Sequence, residues 1–322
     1  MVGRNIHCSY DIMKILIAYD GSGYSHNGLN DLRRAGLPDN ADVLMISVSE
    51  LWLPPQTETS GDNICLDKDT VDYFHKHSEQ MERNLAESRE ILIQAKDELK
   101  KYFPNWTIQT ESIAGSPAQT VLQKAATFAP DLIVVGPRGL SSDGETGLGS
   151  LAQNVLSYSH FSVRIGRGNS GRDDGQLRIA ICFDGSACSL EAVKAAASRD
   201  WRERPEFRLF VITDPLIALV PGRVFRLIPG IPECRMKGEE HWVKTLADEA
   251  LGILGTSSRT ASVHIYSGNP RIMLVNESKE WEADTVFVGM NSRQSNLLGC
   301  VALAVAARSS CSVEVVSKTS DR

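Results

Sequence analysis

Short, continuously apolar runs alternate with longer amphipathic stretches along most of the chain. Runs such as ILIA (15–18) and LIVV (132–135) have no polar alternation, which is typical of parallel strands covered on both faces. Between residues 81 and 102, apolar or small side chains recur at spacings of four and three, with Glu, Lys and Arg between them. This spacing predicts an amphipathic helix. The alternation as a whole predicts an α/β fold.

The pattern occurs twice, because five blocks of sequence recur in the same order. The pairs are KILIAYDGS (14–22) and RIAICFDGS (178–186), VLMISVSE (43–50) and FRLFVITD (207–214), AGSPAQTVL (114–122) and SGNPRIMLV (267–275), PDLIVVG (130–136) and ADTVFVG (283–289), and FSVRI (161–165) and CSVEVV (311–316). Each copy predicts a doubly wound domain with an open parallel sheet. We place the two tandem domains at 13–165 and 177–322, joined by a glycine-rich flexible linker at 166–176.

Two local signals refine this picture. Ser116 and Asn269 precede Pro117 and Pro270, which predicts that both side chains cap the helix that follows. The last strand of each copy, FSVRI or CSVEVV, alternates apolar with polar residues and has main-chain groups available for pairing.

These two end strands could therefore pair with each other and join the copies, and a further homodimer remains open. Arg164 and Glu314 lie on them and could form an opposite-charge contact, worth under about 1 kcal/mol if it is exposed. The alternative is that both edges stay free and are guarded by these charges.

Composition and charge narrow the classes of partner. The net charge is −6 and no Lys/Arg stripe is present, which argues against nucleic acid or an anionic membrane as the main partner. No apolar run approaches the roughly 18–20 residues of a membrane span, and residues 1–12 lack the apolar region of a signal peptide. The seven cysteines form no CxxC pair. These features predict a cytoplasmic protein with reduced thiols.

The clearest functional signal is the loop GPRGLSSDGETGLGS at 136–150, between an apolar strand and a helix. Glycines let the main chain approach a phosphate, and the amides at the start of the following helix favour an anion. Asp20, at the end of the first strand, could accept hydrogen bonds from a ribose. The alternatives are a loop that merely caps a helix and an Asx-turn at Asp20.

The spacing Gly136-x2-Gly139-x9-Gly149-Ser150 resembles the ATP-binding signature of the universal stress protein family, and the copies of Asp-Gly-Ser and Gly-x-Pro resemble other parts of that pattern. The resemblance implies that Asp20 holds the ribose and that the main chain around Val48 meets the adenine. It further implies that Val135 and Gly136 contact the nucleoside. The residues that it places around the phosphates are Arg138, Gly139, Gly149, Ser150 and Leu151. Pro137 departs from the pattern, since it has no N–H to donate.

The resemblance also implies how the copies are arranged. Domains of this family commonly pair through the strand that ends each copy, so we expect the tandem chain to form an internal pseudo-dimer.

The second copy keeps Asp184 but changes the loop. Its sequence GMNSRQSNLLGC (289–300) is three residues shorter, has Ser292 in place of the second glycine and Cys300 in place of the serine. We expect the intact site in the first copy only, with ATP, with or without Mg²⁺, or AMP as its ligand.

Other motifs carry less weight. His75 and His77 lie two positions apart, which on a helix turns them to different sides, so we interpret HKH as a solvated helix start. Cys182 and Cys188 flank the second Asp-Gly-Ser, but Cys182 lies in an apolar strand, where cysteine usually serves as a small hydrophobe. The sequence has neither a P-loop nor a Gly-x-Ser-x-Gly elbow.

The resulting hypothesis is an ATP-binding, nucleotide-responsive stress regulator rather than an enzyme. In it, ATP orders the loop 136–150 and the segment 51–75 and so changes a surface that a partner reads. Two alternatives remain: a slow ATPase or adenylating enzyme on a related α/β fold, and a pseudo-dimer that has lost its nucleotide.

Overall fold

The computed structural model describes residues 12–50, 68–139, 147–168, 176–202, 204–213, 239–255, 260–290 and 300–317. Its strands are β1 (Met13–Ala18), β2 (Ala41–Glu50), β3 (Thr107–Gly115), β4 (Leu132–Val135), β5 (Ser162–Ile165), β6 (Arg178–Cys182), β7 (Glu206–Thr213), β8 (Thr260–Ser267), β9 (Thr285–Met290) and β10 (Ser312–Ser317). Its α-helices are α1 (Gly23–Asp31), α2 (Lys68–Tyr102), α3 (Pro117–Phe128), α4 (Ser150–Tyr158), α5 (Ala187–Ser198), α6 (Glu239–Gly255), α7 (Pro270–Glu280) and α8 (Cys300–Arg308), and a 3₁₀ turn spans Leu32–Arg34. The α/β prediction is confirmed.

All ten strands form one sheet in the order β3-β2-β1-β4-β5-β10-β9-β6-β7-β8. Within each half every neighbouring pair of strands is parallel. The chain order reverses between β1 and β4 in the first half and between β6 and β9 in the second. These are the switch points at which ligands bind in open α/β sheets.

The halves meet at β5 and β10, which confirms the expected pairing of the two end strands; they run antiparallel. Val163 faces Val315, Arg164 faces Glu314 and Ile165 faces Val313. The tandem chain therefore forms its pseudo-dimer internally, through a continuous sheet.

The predicted opposite-charge contact between Arg164 and Glu314 forms at this junction, and it is buried rather than exposed. Arg164 is 0% exposed and Glu314 is 1% exposed. The Arg164 guanidinium donates to Asp31 at 2.7 Å, to Glu314 at 3.2 Å and to the Thr285 hydroxyl at 3.0 Å. Burial opposes the charge of Arg164, but attraction from the two carboxylates outweighs it and raises the pKa of the guanidinium.

Two further groups complete this buried network. Arg199 at the end of α5 pairs with the second oxygen of Glu314, and Ser312 donates its hydroxyl to Asp31 at 2.6 Å. Two cations thus balance two anions inside the junction. Such a cluster is costly to break, since removal of one partner leaves an unpaired buried charge.

Helices cover both faces of the sheet, as the unbroken apolar strands predicted. One face carries a core shared by the two halves, in which Val121 of α3 and Leu156 of α4 belong to the same cluster as Leu274 of α7 and Val305 of α8. On the other face each half has its own core, beneath α2 in the first half and beneath α5 and α6 in the second. None of the helices within the described ranges is long and apolar enough to cross a membrane.

The predicted linker begins with ordered contacts. Gly166 donates its N–H to the Val135 carbonyl at 3.0 Å, and Arg167 donates its N–H to the Ser312 hydroxyl at 3.0 Å. Residues 169–175 lie outside the described part of the chain, and the domain boundaries stay a prediction.

Candidate functional site

The candidate site lies where β1 and β4 end side by side. Each strand is followed directly by predicted site residues: Asp20 lies two residues beyond β1, and Gly136 comes immediately after β4. The predicted loop therefore opens at the switch point of the first half, where the sheet leaves a crevice.

Asp20 and Gly139 lie in direct contact range across this crevice. A Cβ atom at Gly139 would lie 2.7 Å from Asp20 Oδ2, closer than real Cβ contacts allow. The other oxygen, Oδ1, accepts the Ser22 N–H at 3.0 Å and so forms the Asx-turn anticipated as an alternative for this residue. Because the turn uses Oδ1, the carboxylate can hold the turn and face the loop at once.

The ends of the loop are tied to each other. Gly149 donates its N–H to the Pro137 carbonyl at 2.8 Å, and a Cβ at Gly149 would lie 3.2 Å from Arg138 Cα. Pro137, which cannot donate, thus serves as an acceptor. Gly136 packs against the start of α1, where its Cβ would lie 3.2 Å from Ser25 N.

Helix α4 begins at this closed loop. Gly149 is its N-cap and offers no side chain to cap the first turn. The first intrahelical bond joins the Gln153 N–H to the Gly149 carbonyl at 3.0 Å, so the N–H groups at 150–152 have no acceptor inside the helix. The positive end of the helix dipole therefore lies next to the crevice.

Arg138 supplies the positive side chain of the site. Its Nε donates to the Gly147 carbonyl at 3.4 Å and its Nη1 to the Tyr24 hydroxyl at 3.4 Å. The guanidinium also lies 5.6 Å from the centre of the Tyr24 ring. Tyr24 is 40% exposed, and the sequence reasoning missed it because no spacing connects residues 24 and 138.

The remaining predicted residues form the apolar side. Val135 is 1% exposed, and its carbonyl is taken by Gly166. Leu151 packs partly buried against the shared core, beside the exposed Ser150. Val48 packs against the same core from β2, which lies on the far side of β1 from β4. The structure thus groups the loop with Asp20 and sets Val48 one strand away.

The second half repeats the Asx-turn of the first half, but it has less room at the end of β9. Asp184 Oδ1 accepts the Ser186 N–H at 2.9 Å, as Asp20 does for Ser22. At Gly289, however, a Cβ would lie 2.1 Å from the Cys188 carbonyl oxygen, against 3.2 Å for the nearest atom to Gly136. Helix α5 therefore crowds the end of β9 more closely than α1 crowds the end of β4.

Several predicted features lie outside the described residues. These are the loop tips at 140–146 and 291–299, the segment 51–67, and the side chains of 68–77, which include His75 and His77. The described residues contain no group of three metal-ligating side chains. Burial, with Asp184 nearby, strongly raises the pKa of the Cys182 thiol, so this cysteine stays protonated and a poor nucleophile.

Comparisons with known proteins agree with this architecture. The model of the Universal stress protein family matches residues 12–166 and 177–317. A universal stress protein of Mycolicibacterium smegmatis is 28% identical over 218 residues, covering 65% of this chain and 69% of that protein.

Two solved structures show the same fold over nearly the whole chain. A universal stress protein from Archaeoglobus fulgidus DSM 4304 aligns with a TM-score of 0.63 and 18% identity, covering 94% of this chain and 97% of that one. A protein of unknown function from Pseudomonas aeruginosa PAO1 aligns with a TM-score of 0.55 and 12% identity, covering 95% and 92%. A universal stress protein solved in complex with cAMP covers 44% of this chain and 98% of that one, with a TM-score of 0.33 and 21% identity.

The family match accounts for both halves of the sheet and leaves only a short connection between them. The chain belongs to the universal stress protein family, in its tandem two-domain form.

Proposed function

We propose that the protein is a nucleotide-responsive regulator that binds ATP in its first half only. The observation that carries this proposal is the approach of Gly139 to Asp20 at the switch point, beside the start of α4. A side chain at 139 would clash with the carboxylate, so glycine lets the loop come this close to a hydrogen-bond acceptor, beside the amide donors at the start of α4.

The residues present fit an adenine nucleotide in chemical type. Asp20 offers a carboxylate for ribose hydroxyls, and the N–H groups at 150–152 and the Arg138 guanidinium offer donors for phosphates. Val48 and Leu151 offer apolar surface for the base and for the edge of the crevice. In this proposal Tyr24 is a positioning residue, because its ring and hydroxyl hold Arg138 at the mouth of the loop.

The proposed mechanism is regulatory. Bound nucleotide would bridge the β1 end to the loop at 136–150, so that binding changes the order of this loop and with it a surface that a partner reads. Such a protein needs two states, with and without nucleotide, that present different surfaces to the partner. It needs no chemical step.

Asp20→Ala and Asp184→Ala provide a matched test in the full-length protein. Both aspartates make the same Asx-turn, so each variant loses the same local hydrogen bond. We expect Asp20→Ala to weaken ATP binding about tenfold or more, the effect of losing charge-assisted hydrogen bonds, and Asp184→Ala to leave it unchanged. Calorimetric titration measures both, and the wild type should bind one ATP per chain.

Gly139→Val should abolish ATP binding while the circular dichroism spectrum and melting behaviour stay close to the wild type. Gly252→Ala is the control, because a Cβ at this exposed helical position meets nothing within 4 Å. Equal ATP affinity in Gly139→Val and the wild type, or two equivalent sites per chain, would show that the site has been misplaced.

The same titrations separate the alternatives. ATP, AMP and cAMP are compared side by side, and mass spectrometry of small molecules released from the purified protein identifies any nucleotide already bound. Chromatography of the ATP mixture after prolonged incubation detects hydrolysis. Turnover that disappears in Asp20→Ala would favour the ATPase alternative, and absence of any nucleotide affinity would favour the pseudo-dimer that has lost its ligand.

A further inference from the structure

A cleft of about 460 Å³ lies between the two halves, away from the predicted nucleotide loop. Its walls come from the end of α1 and the 3₁₀ turn, the end of α2, the start of the linker, the turn after α5 and the start of β9. None of the nine predicted nucleotide-site residues lines it. Its volume lies within the range of small-molecule sites, which is about 300–1,000 Å³.

Two of the three aspartates that line this cleft already have cationic partners. Asp31 accepts from Arg164 at 2.7 Å and from Ser312 at 2.6 Å. Asp284 Oδ2 accepts the main-chain N–H of Arg178 at 2.8 Å, and Asp284 Oδ1 lies 3.5 Å from Nη2 of its cationic partner Arg34. The third, Asp200, is exposed, so its charge is well hydrated.

Two of the four arginines in the lining have no such partner. Arg33 stacks over the Tyr102 ring at 4.3 Å, and Arg167 donates to the carbonyls of Cys311 and Ala306. Among the described residues no carboxylate lies within ion-pair distance of either guanidinium. Arg202 pairs with Asp39 at 3.3 Å, but both side chains are more than half exposed, so solvent weakens this pair.

The electrostatics of the cleft therefore favour an anion even though the whole chain carries a charge of −6. Four arginines and three aspartates line the cleft, which leaves one net positive charge. Asp31 attracts Arg167 without pairing with it, and Arg33 and Asp200 are both exposed. Burial is the main cause that lowers the pKa of Arg167, and repulsion from Arg138 adds to it. A bound anion would offset the cost of holding that guanidinium away from water.

We infer that this cleft is a second ligand site, shared by the two halves, for a small molecule that carries several negative charges as phosphate or carboxylate groups. Arg33 from the first half and Arg167 from the connection supply planar donors that suit either group. Aromatic side chains of Tyr102 and Trp201 give the same cleft apolar surface for an organic part.

The experiment titrates pyrophosphate and, separately, citrate into the full-length protein by calorimetry, in the wild type and in Gly139→Val. The second background is designed to block the nucleotide loop, so binding that persists there arises elsewhere. Binding of pyrophosphate assigns the site to phosphates, and binding of citrate alone assigns it to carboxylates.

Three variants identify the cleft as the site. Arg33→Gln should weaken the binding of the probe about tenfold, as expected for one lost charge-assisted contact. Asp200→Asn should strengthen it about threefold, because the opposing charge is removed. Arg89→Gln, at an exposed position of α2 outside the cleft, is the matched control and should change nothing.

Absence of binding by both probes would overturn the inference. So would an affinity that Arg33→Gln leaves unchanged, or one that Arg89→Gln lowers to the same degree, which would indicate diffuse attraction. Binding that is lost in Gly139→Val but kept in Arg33→Gln would assign the anion to the nucleotide loop. ATP affinity in Arg33→Gln should equal that of the wild type, so failure here and failure of the nucleotide proposal are separable.

Discussion

Gly36 shows how a single backbone position supports the junction of the two halves. Its φ is +62°, and a Cβ there would lie 2.7 Å from the Trp201 ring and 2.8 Å from Arg199 Cβ. Its carbonyl accepts the Asp200 N–H at 2.9 Å. The first half can approach the turn after α5 only because this residue has no side chain.

We expect Gly36→Ala to lower the free energy of unfolding by about 2 kcal/mol or more, from left-handed strain and from overpacking against Trp201. The same substitution at Gly252, an exposed position within α6, should raise it by up to about 1 kcal/mol through helix propensity. Urea unfolding curves of the two variants give the comparison. A Gly36→Ala protein as stable as the wild type would mean that the turn can move without cost.

At the residue scale, a feature could be predicted from the sequence only where it depends on residues close together along the chain. The glycines at 136, 139 and 149 could be recognised in the sequence because they lie within one short loop, and their role in binding stays a prediction. The contact of Gly139 with Asp20 could be expected only from two strands ending together. The contact of Tyr24 with Arg138 could not, since it depends on how α1 packs beside the loop.

The two helices that follow Gly-x-Pro differ in a way that their sequences conceal. Asn269 accepts the Arg271 N–H at 3.0 Å and caps α7 as predicted. Ser116 precedes α3 in the same extended conformation but makes no side-chain capping bond, so that part of the prediction is wrong. Serine can fill this role elsewhere in the chain, since the side chains of Ser22 and Ser186 cap α1 and α5.

Asn269→Ala should therefore cost about 1 kcal/mol of stability, the usual value for a lost N-cap. Ser116→Ala should stay within about 0.5 kcal/mol of the wild type, because an exposed residue without a capping bond loses little. Thermal melts of both variants under one set of conditions test the difference. Equal losses would indicate that Ser116 caps α3 in solution.

The strands and helices could be predicted closely from the sequence, since the periodicity of each depends only on neighbouring residues. The apolar runs at 15–18 and 132–135 lie inside β1 and β4, and the face of α2 that includes Leu92 and Leu99 is buried. The pairing of β5 with β10 was expected from the family resemblance, and the main-chain groups of both end strands were available for it.

At the scale of the whole molecule, the junction that joins the halves contains charges whose burial the sequence did not reveal. Arg164 looked like a surface residue on an alternating strand, and it is covered only because α1, α5 and β10 converge on it. Those contacts join residues more than 100 positions apart along the chain. No local pattern carries that information.

Arg164→Met should lower the free energy of unfolding by about 3–5 kcal/mol, because Asp31 and Glu314 would remain buried with a cation removed. Lys194→Met is the control: its pair with Glu191 is partly exposed, and its loss should cost under about 1 kcal/mol. Chemical denaturation measures both, and scattering on the monomeric chain shows whether the halves stay joined. Equal losses of unfolding free energy in the two variants would show that the buried pairs of Arg164 contribute no more than a partly exposed ion pair.

The register of β5 against β10 also determines what each half can recognise. Arg164 and Glu314 hold the same position in the two copies, within SVR and SVE, and they face each other directly. In a symmetric pair built from two first halves, arginine would meet arginine in a buried setting, and two second halves would oppose their glutamates. The contact of Arg164 with Glu314 at 3.2 Å therefore forms only where a first half meets a second half, while Asp31 and Arg199 supply each half with a counter-ion of its own.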